Sequence, residues 1–259
     1  SFTGSCEVGK KVMASASGTL KRLHLELGGK SAQIVLDDAD LDLQSMVASS
    51  PSYFHAGQGC AMTTRVLVSR KRHDELVDKM CSFVTGAIKV GDPADPDVIL
   101  GPVIRDVRRT AIEEYIAAGT KEGAELATGG GRPAGLDRGY FIEPTIFANV
   151  RNDMRIAREE IFGPVVSVIP FEDEEDAIRI ANDSDYGLFG SIATAATPQA
   201  TVKAQAMAKR IRTGGVSING AVSVIHSPFG GFKQSGIGRE GGMFGIHEFT
   251  EIQSINWPA

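Results

Sequence analysis

Hydrophobic residues along this 259-residue chain recur with two periods, one typical of β-strands and one typical of amphipathic helices. Short apolar runs bounded by glycine, proline or polar residues predict strands at residues 20–27, 32–36, 65–69, 124–128, 140–150, 165–171, 191–194 and 216–219. Longer amphipathic segments between them predict helices at residues 7–18, 38–54, 71–89, 106–123, 174–182 and 198–212. Strands and helices therefore alternate along most of the chain.

This alternation predicts an α/β fold, in which a mostly parallel sheet carries crossover helices on both faces. The last segment departs from the pattern. Residues 246–257 follow a glycine-rich stretch and carry Phe249, Ile252 and Ile255 in a strand-like run. We therefore predict an extended C-terminal tail strand. Because it has no evident partner within the chain, we expect it to pair with a second copy in a homo-oligomer.

Composition narrows the classes of function. The net charge of −5 argues against a nucleic-acid-binding surface. No apolar run reaches the ~18 residues that a membrane-spanning helix needs, so no membrane association is predicted. The three cysteines do not suggest a disulfide framework, which favours a reducing, cytoplasmic location. The five histidines lack the spacing of metal ligands, so no metal site is predicted.

Cys60 lies among small residues in the stretch YFHAGQGCAMTTR, residues 53–65. An isolated cysteine is most often a buried, space-filling side chain. The alternative is a nucleophile, for which Gly57, Gly59 and Ala61 would let a substrate approach the sulfur. A thiol with a pKa of about 8.5 is mostly protonated at neutral pH. The second interpretation therefore predicts some lowering of the Cys60 pKa, by backbone N–H groups or by Glu26 acting as a base.

Glu26 lies in LELGGK, residues 25–30, at the end of the first predicted strand. One interpretation is an outward-facing strand glutamate. The other places it at the carboxyl-terminal edge of the sheet, where α/β folds bind ligands. Partial burial between Leu25 and Leu27 would then raise the Glu26 pKa and suit the side chain to general-base catalysis.

Two further stretches carry little information when each is taken alone. EEIFGPV, residues 159–165, is compatible with a capped helix end followed by a turn and a buried strand. SPFGGFKQSGIGRE, residues 227–240, contains the start of a formal GxGxxG match at residues 236–241. A dinucleotide-binding fingerprint has to follow a strand, and FKQS does not predict one. The match therefore reflects glycine density.

Taken in order, FTGSCEVG (2–9), LELGGKSA (25–32), GQGC (57–60), EEIFGPV and SPFGGFKQSGIGRE closely resemble the aldehyde dehydrogenase superfamily. The similarity extends over the whole chain. Family members are longer, and the resemblance implies that this chain corresponds to their C-terminal half. It further implies the edge of a nucleotide-binding domain at residues 1–27, a catalytic domain at 28–238, and a tail with an oligomerisation strand at 239–259.

The resemblance also implies chemistry, the oxidation of an aldehyde to a carboxylic acid with NAD or NADP. Cys60 would be the nucleophile and Glu26 the base that activates water. The implied cofactor-binding residues are Gly4, Ser5, Gly9, Leu27, Glu160 and Phe162. The positions implied to line the substrate tunnel are Gly59, Ala61, Ser223 and Phe229.

The chain departs from the usual family pattern at Gly59, directly before the nucleophile, and at Met62, where a smaller side chain is usual. Both departures predict a reshaped pocket. Two other functions stay open on the sequence. One is a non-catalytic fragment or scaffold that keeps the family fold, and the other is a cofactor-independent thiol esterase that uses Cys60 and Glu26.

Overall fold

The computed structural model describes residues 1–221 and 224–258. The strands are β1 (Phe2–Thr3), β2 (Leu25–Glu26), β3 (Ala32–Val35), β4 (Arg65–Ser69), β5 (Glu125–Thr128), β6 (Thr145–Ala148), β7 (Val165–Phe171), β8 (Tyr186–Gly187), β9 (Phe189–Ala193), β10 (Gly215–Ile218), β11 (Phe232–Lys233) and β12 (Gly236–Ile237). The α-helices are α1 (Cys6–Ser17), α2 (Leu41–Ser49), α3 (His73–Ala87), α4 (Asp106–Lys121), α5 (Arg155–Arg158), α6 (Glu174–Asn182), α7 (Pro198–Ala208) and α8 (Gly242–His247). Three 3-10 segments occupy Ser50–Ser52, Phe54–Gly57 and Arg70–Arg72.

The centre of the fold is a seven-stranded sheet in the order β10-β9-β3-β4-β7-β6-β5. Neighbouring strands run parallel throughout, except for the antiparallel pair β5 and β6 at one edge. Two small sheets stand apart, one formed by β1, β2 and β12 and the other by β8 and β11. The predicted α/β class with a mostly parallel sheet is confirmed.

Both faces of the large sheet are covered by helices, because its strands are apolar on both sides. Along β4, Leu67 packs into one core cluster, while Val66 and Val68 pack into the other. Residues of α4, α6 and α7 belong to the first cluster, and residues of α2 and α3 belong to the second. Such two-sided burial is expected of parallel strands joined by crossover helices.

Several predicted elements have the predicted bounds, among them β4, β7 and α6. The predicted strand at 20–27 is wrong for its first half, because only Leu25–Glu26 pairs with other strands. The predicted helix at 38–54 ends at Ser49 and continues as 3-10 turns beside Pro51. The predicted strand at 140–150 shortens to Thr145–Ala148 after Pro144.

The C-terminal tail differs from the prediction in this single chain. Ile246 belongs to the short helix α8, and residues 248–258 belong to no helix or strand. Phe249, Ile252 and Trp257 are all exposed, Ile252 to 99%. A strand needs a neighbour for its backbone groups, and this tail has none within the described chain. Its pairing with a second copy stays a prediction.

None of the helices in the described ranges combines the length and the apolar character that crossing a membrane requires. Within the same ranges, no three His, Cys, Asp or Glu side chains are grouped so that they could hold a metal ion.

Candidate active site

Glu26, Cys60 and Glu160 precede three neighbouring parallel strands of the large sheet. Glu26 leads into β3, Cys60 into β4 and Glu160 into β7. Because these strands run in the same direction, the loops that precede them end at one edge. That edge is the amino-terminal one, so the predicted placement of Glu26 at the carboxyl-terminal edge is wrong. The three stretches singled out in the sequence are nevertheless brought together.

These loops and the start of α1 surround a cleft of about 780 Å³. Its lining includes both proposed catalytic residues and most of the predicted cofactor contacts. The sequence-predicted residues on its wall are Gly4, Ser5, Glu26, Leu27, Gly59, Cys60, Glu160 and Phe162. A volume of this size is within the range of small-molecule sites.

Glu26 is 3% exposed, and neither of its carboxylate oxygens has a hydrogen-bond partner among the described residues. Burial raises the pKa of Glu26 above its usual range. The nearby Cys60 thiol and the Leu27 backbone lower this pKa, while the charge of Glu240 raises it further. A carboxyl group with a raised pKa and free oxygens is suited to accept a proton from water.

The Cys60 thiol is half-buried on the wall of the cleft. Burial and, to a smaller extent, the neighbouring Glu26 carboxylate raise the pKa of Cys60 to about 12. The backbone N–H of Ala61 acts in the opposite direction but does not outweigh them. The predicted lowering of the Cys60 pKa is therefore not seen in this chain. Two anions so close together are unfavourable, so loss of the Cys60 proton and ionisation of Glu26 oppose each other.

The backbone of Gly28 and Gly29 lies close to both the Glu160 loop and the Cys60 loop. The Gly29 N–H donates to Glu160 Oε1 at 3.0 Å. A Cβ atom at Gly28 would lie 2.1 Å from Glu160 Oε2, and one at Gly29 would lie 2.3 Å from the Cys60 carbonyl oxygen. A backbone atom leaves no room for a side chain at Gly29, and a side chain at Gly28 would displace the Glu160 carboxylate. The pair thereby fixes Glu160 on one side and the Cys60 loop on the other.

Glu160 is held in a partly desolvated position. Burial raises the pKa of Glu160, while the Gly29 N–H and the charge of Lys30 lower it. The charge of Glu26 raises it again, and the charge of Arg108 lowers it. The carboxylate is thus oriented by a backbone donor and balanced between acidic and basic neighbours.

The chain enters the Cys60 loop through three consecutive residues with positive φ, His55 (φ 48°), Ala56 (φ 51°) and Gly57 (φ 68°). This region is unfavourable for residues that carry a Cβ atom. A Cβ atom at Gly57 would lie 1.9 Å from the Gly163 carbonyl oxygen. Gly57 is therefore required for packing against the EEIFGPV stretch. This packing explains why position 57 is a glycine, without the predicted role of giving a substrate access to the sulfur.

Helix α1 points its amino end into the cleft. Ser5 caps the helix by accepting a hydrogen bond from the Val8 N–H, and Gly4, Ser5 and Cys6 line the cleft wall. A helix amino end of this kind favours anionic groups. Gly9 lies below the surface instead, where a Cβ atom would meet the Leu27 side chain at 2.7 Å. Gly9 therefore packs against a residue of the wall and does not itself line the cleft.

A second cavity, of about 430 Å³, lies beside the same loop. Ala61 and Phe229 line it as predicted substrate positions, together with Met62, Phe54 and Phe189. Gly59, also predicted there, lines the first cleft instead. Ser223 lies outside the described residues. The Cys60 loop thus contributes Cys60 to a cleft rich in acidic groups and the following residue, Ala61, to a mostly apolar cavity.

The cleft also contains residues that no sequence motif identified. Arg108 and Tyr115 reach it from α4, and Tyr186 reaches it from β8. The Tyr115 hydroxyl donates to Glu159 Oε2 at 2.8 Å, which fixes the start of the Glu160 loop. The amphipathic pattern of α4 identified its buried face, but the contacts of its polar residues depend on how the helix packs.

Comparison with known proteins identifies the family of this chain. The sequence profile described as "Aldehyde dehydrogenase family" matches residues 1–255, and the chain belongs to that family. It is 45% identical over 256 residues to a 3-succinoylsemialdehyde-pyridine dehydrogenase of a Pseudomonas species, covering 98% of this chain and 53% of the relative. It is 43% identical over 258 residues to a betaine aldehyde dehydrogenase of Bacillus subtilis, covering 98% and 52%. The chain thus spans about half the length of these curated relatives.

Solved structures match equally well. A Mycobacterium tuberculosis aldehyde dehydrogenase complexed with NAD+ superposes with a TM-score of 0.93 at 50% identity, over 99% of this chain and 52% of that one. A mutant of aldehyde dehydrogenase C from Pseudomonas syringae, complexed with NAD+ and octanal, gives a TM-score of 0.92 at 38% identity, over 96% and 50%. The predicted family and fold class are confirmed.

Proposed function

We propose that this chain is the catalytic half of an NAD(P)-dependent aldehyde dehydrogenase, in which Cys60 is the nucleophile and Glu26 the base. The observation that carries the proposal is the shared cleft. A half-buried thiol and a buried carboxyl group with unpartnered oxygens lie on one wall, beside the residues expected to hold a dinucleotide.

In the first step, the Cys60 sulfur forms a bond to the aldehyde carbon, and the carbonyl electron pair moves to oxygen. Backbone N–H groups of the Cys60 loop would stabilise the resulting oxyanion. The thiol proton leaves to solvent water, so Glu26 stays ionised for the second step. The tetrahedral carbon then loses hydride and becomes a thioester on Cys60.

In the second step, Glu26 takes a proton from water, and the oxygen attacks the thioester carbon. The carbon–sulfur bond breaks, the carboxylic acid leaves, and the proton returns to the Cys60 sulfur. Burial of Glu26 favours this role because it raises the affinity of the carboxylate for a proton. A fixed, desolvated base close to the acylated sulfur is also well placed for repeated turnover.

The cleft fits a nicotinamide dinucleotide, which would supply the hydride acceptor when bound. Glu160 presents a carboxylate that is already oriented by the Gly29 N–H and suited to accept hydrogen bonds from a ribose. Gly4 and Ser5, at the amino end of α1, suit a pyrophosphate. Leu27 and the half-exposed Phe162 offer apolar contacts for a nicotinamide ring, and Gly9 supports Leu27 from below.

The second cavity is the proposed approach for the aldehyde. Its lining of Phe54, Met62, Phe189 and Phe229 favours an apolar substrate body, with the carbonyl group directed toward Cys60. The Pseudomonas syringae structure holds octanal, an aldehyde of this class. We therefore place an apolar aldehyde first among candidate substrates for the whole protein.

The proposed domain organisation keeps the bounds that the family resemblance implies. Residues 1–27 form α1 with β1 and β2 and belong to a nucleotide-binding edge, and 28–238 form the catalytic domain. Residues 239–259 form the proposed oligomerisation tail. Exposed apolar side chains on the described part of this tail support that role, because they gain burial only by contact with another surface.

Acylation of Cys60 tests the proposal without requiring full turnover. The chain is incubated with an aldehyde and NAD+, and separately with an activated ester, and the intact mass is measured. We expect an acyl adduct on Cys60 that accumulates in Glu26→Gln and is absent in Cys60→Ala. Cys81, also a half-buried thiol, is the internal control and should remain unmodified.

The outcomes separate the three candidate functions. Adducts from both reagents support the dehydrogenase. Adducts from the ester alone, released by Glu26, support the thiol esterase. The absence of any adduct on Cys60 from either reagent would contradict both and leave a non-catalytic fragment.

A further inference from the structure

A small cavity of about 10 Å³ lies next to the cleft. Lys30, Ser31, Arg65, Tyr186 and Thr213 contribute to its lining. Tyr186 also lines the cleft, so this side chain forms part of the partition between the two spaces. A cavity of this volume is the size needed for one water molecule, provided that polar partners surround it.

Two of the lining residues carry polar atoms that lack partners. Lys30 is 1% exposed and Ser31 is 4% exposed. Neither Lys30 Nζ nor Ser31 Oγ makes a hydrogen bond to any described residue. A buried polar group without a partner is costly, and a buried ammonium group is especially so. The Thr213 hydroxyl donates to the Gly215 carbonyl and keeps accepting capacity.

Arg65, the neighbouring cation, does not supply the missing hydrogen-bond partner of Lys30 or Ser31. Arg65 is fully buried, and its guanidinium donates to the carbonyls of Lys30, Ile180 and Ala181 and to Asn152 Oδ1. These donors are therefore occupied, and the positive charge of Arg65 disfavours a second charge on Lys30. The charges that favour protonated Lys30 are those of Glu160 and Glu159, on the cleft side.

The backbone holds Lys30 close to the Glu160 loop. Gly29, the residue before Lys30, donates its N–H to Glu160 Oε1 at 3.0 Å. Lys30 and Glu160 also influence each other electrostatically, since each charge favours the ionised form of the other. Any change in the charge of Lys30 is therefore felt at the carboxylate on the cleft wall.

We propose that this cavity binds one water molecule between Lys30 Nζ and Ser31 Oγ, and that Lys30, hydrated in this way, is a positioning residue that keeps Glu160 ionised at the cleft wall. The water supplies the hydrogen bond that both side chains lack. The proposal uses the proposed function only to say what Glu160 would contact, because the water site and the charge coupling exist without a cofactor.

The first test is a high-resolution crystal structure of the protein, in which we expect density for one water between Lys30 and Ser31. An empty cavity, or a direct contact between the two side chains, would overturn the site. The second test measures the pKa of Glu160 by carbon-13 NMR of labelled glutamate carboxyl groups, with Glu160→Gln used to assign the signal. Lys30→Met removes the charge at similar volume, and we expect the Glu160 pKa to rise by about one unit.

Lys233→Met is the matched control. Lys233 is exposed, unlike Lys30, but its charge also lies near that of Arg65, and its ammonium group donates to the carbonyls of Asn182 and Ser184. We expect it to leave the Glu160 pKa unchanged. A rise in neither variant, or an equal rise in both, would refute the positioning role.

Ser31→Ala provides a second route if Lys30→Met does not fold. It should remove the water and raise the Glu160 pKa, because a less hydrated Lys30 holds its proton less tightly. An unchanged Glu160 pKa in this variant counts against the proposal. Since no readout uses a cofactor or turnover, failure here is distinguishable from failure of the proposed dehydrogenase activity.

Discussion

The Gly29 backbone lies directly against the Cys60 carbonyl oxygen, so closely that a Cβ atom at position 29 would lie 2.3 Å from it. The same glycine donates its N–H to Glu160. One residue without a side chain thus sets the separation of the Cys60 loop and the proposed ribose-binding carboxylate. The glycine pair of LELGGK is a spacer between the Cys60 loop and the Glu160 loop.

Gly29→Ala is expected to disrupt this packing. The added methyl group meets a backbone atom that cannot move aside, so we expect a loss of stability of about 2 kcal/mol and slower alkylation of Cys60 as the loop shifts. Urea denaturation and mass-spectrometric alkylation rates measure the two effects. Gly86→Ala, in helix α3 with open space around it, is the control and should be neutral or stabilising. Equal stability of the two variants would contradict the spacer role.

Glu26→Gln is expected to accelerate alkylation of Cys60 while slowing release of its thioester. The Glu26 charge contributes to the raised Cys60 pKa, so removing that charge lowers the pKa and increases the thiolate fraction at a given pH. The alkylation rate at pH 8 to 9 should rise by roughly tenfold for each pKa unit recovered. Peptide mapping with iodoacetamide measures it, and Cys81, whose pKa is raised by burial and by Asp78 and Glu125, should be unaffected. Slower alkylation would instead identify Glu26 as the base that activates the thiol.

Gly59 and Met62, the two departures from the family pattern, are expected to be coupled. A Cβ atom at Gly59 would lie 3.0 Å from both Cγ and Cε of Met62, so the methionine occupies space that a side chain at position 59 would take. Gly59→Ala alone should cost about 1 kcal/mol, and much less when Met62→Ala is also present. Urea denaturation of the four variants gives the coupling, which we expect to exceed about 0.5 kcal/mol. Additive effects would show that the residues act independently.

Lys30 is expected to make stability depend on pH. Its pKa is lowered by burial and by Arg65 from 10.5 to about 7 in the folded chain. Above pH 7 the unfolded chain therefore binds more protons at this residue than the folded chain, and the free energy of unfolding rises with pH. The contribution is at most about 1.4 kcal/mol for each pH unit. Comparing wild type with Lys30→Met between pH 7 and 8.5 isolates it, and parallel pH profiles would exclude it.

The C-terminal tail is expected to hold copies of the chain together. Ile252→Glu places a charge on a fully exposed apolar residue and should lower the mass measured by light scattering, with no change in the circular dichroism spectrum. Val202→Glu, an equivalent change on the exposed face of α7, is the control. If both variants keep the wild-type mass, the tail does not mediate assembly.

The local hydrophobic pattern predicted those elements whose side chains are buried whichever strands or helices lie beside them. Strands β4 and β7 are continuous apolar runs, and helix α6 begins at an Asp cap and carries a clear apolar face, so their bounds could be read directly. Strand β2 could not be, because its length depends on where β1 and β12 end. The prediction of a lowered Cys60 pKa failed for a related reason, because burial and the charge of Glu26 raise this pKa only after folding.

The sequence alone determined the family and the α/β class and selected the thiol and carboxylates that we propose for the site, because these depend on residue type and order along the chain. The tertiary structure decided which edge of the sheet they share and how their pKa values shift. It also decided that the cleft and the apolar cavity lie beside one loop. Distance, desolvation and charge coupling depend on through-space neighbours, and strand order, rather than residue order, sets which groups become neighbours.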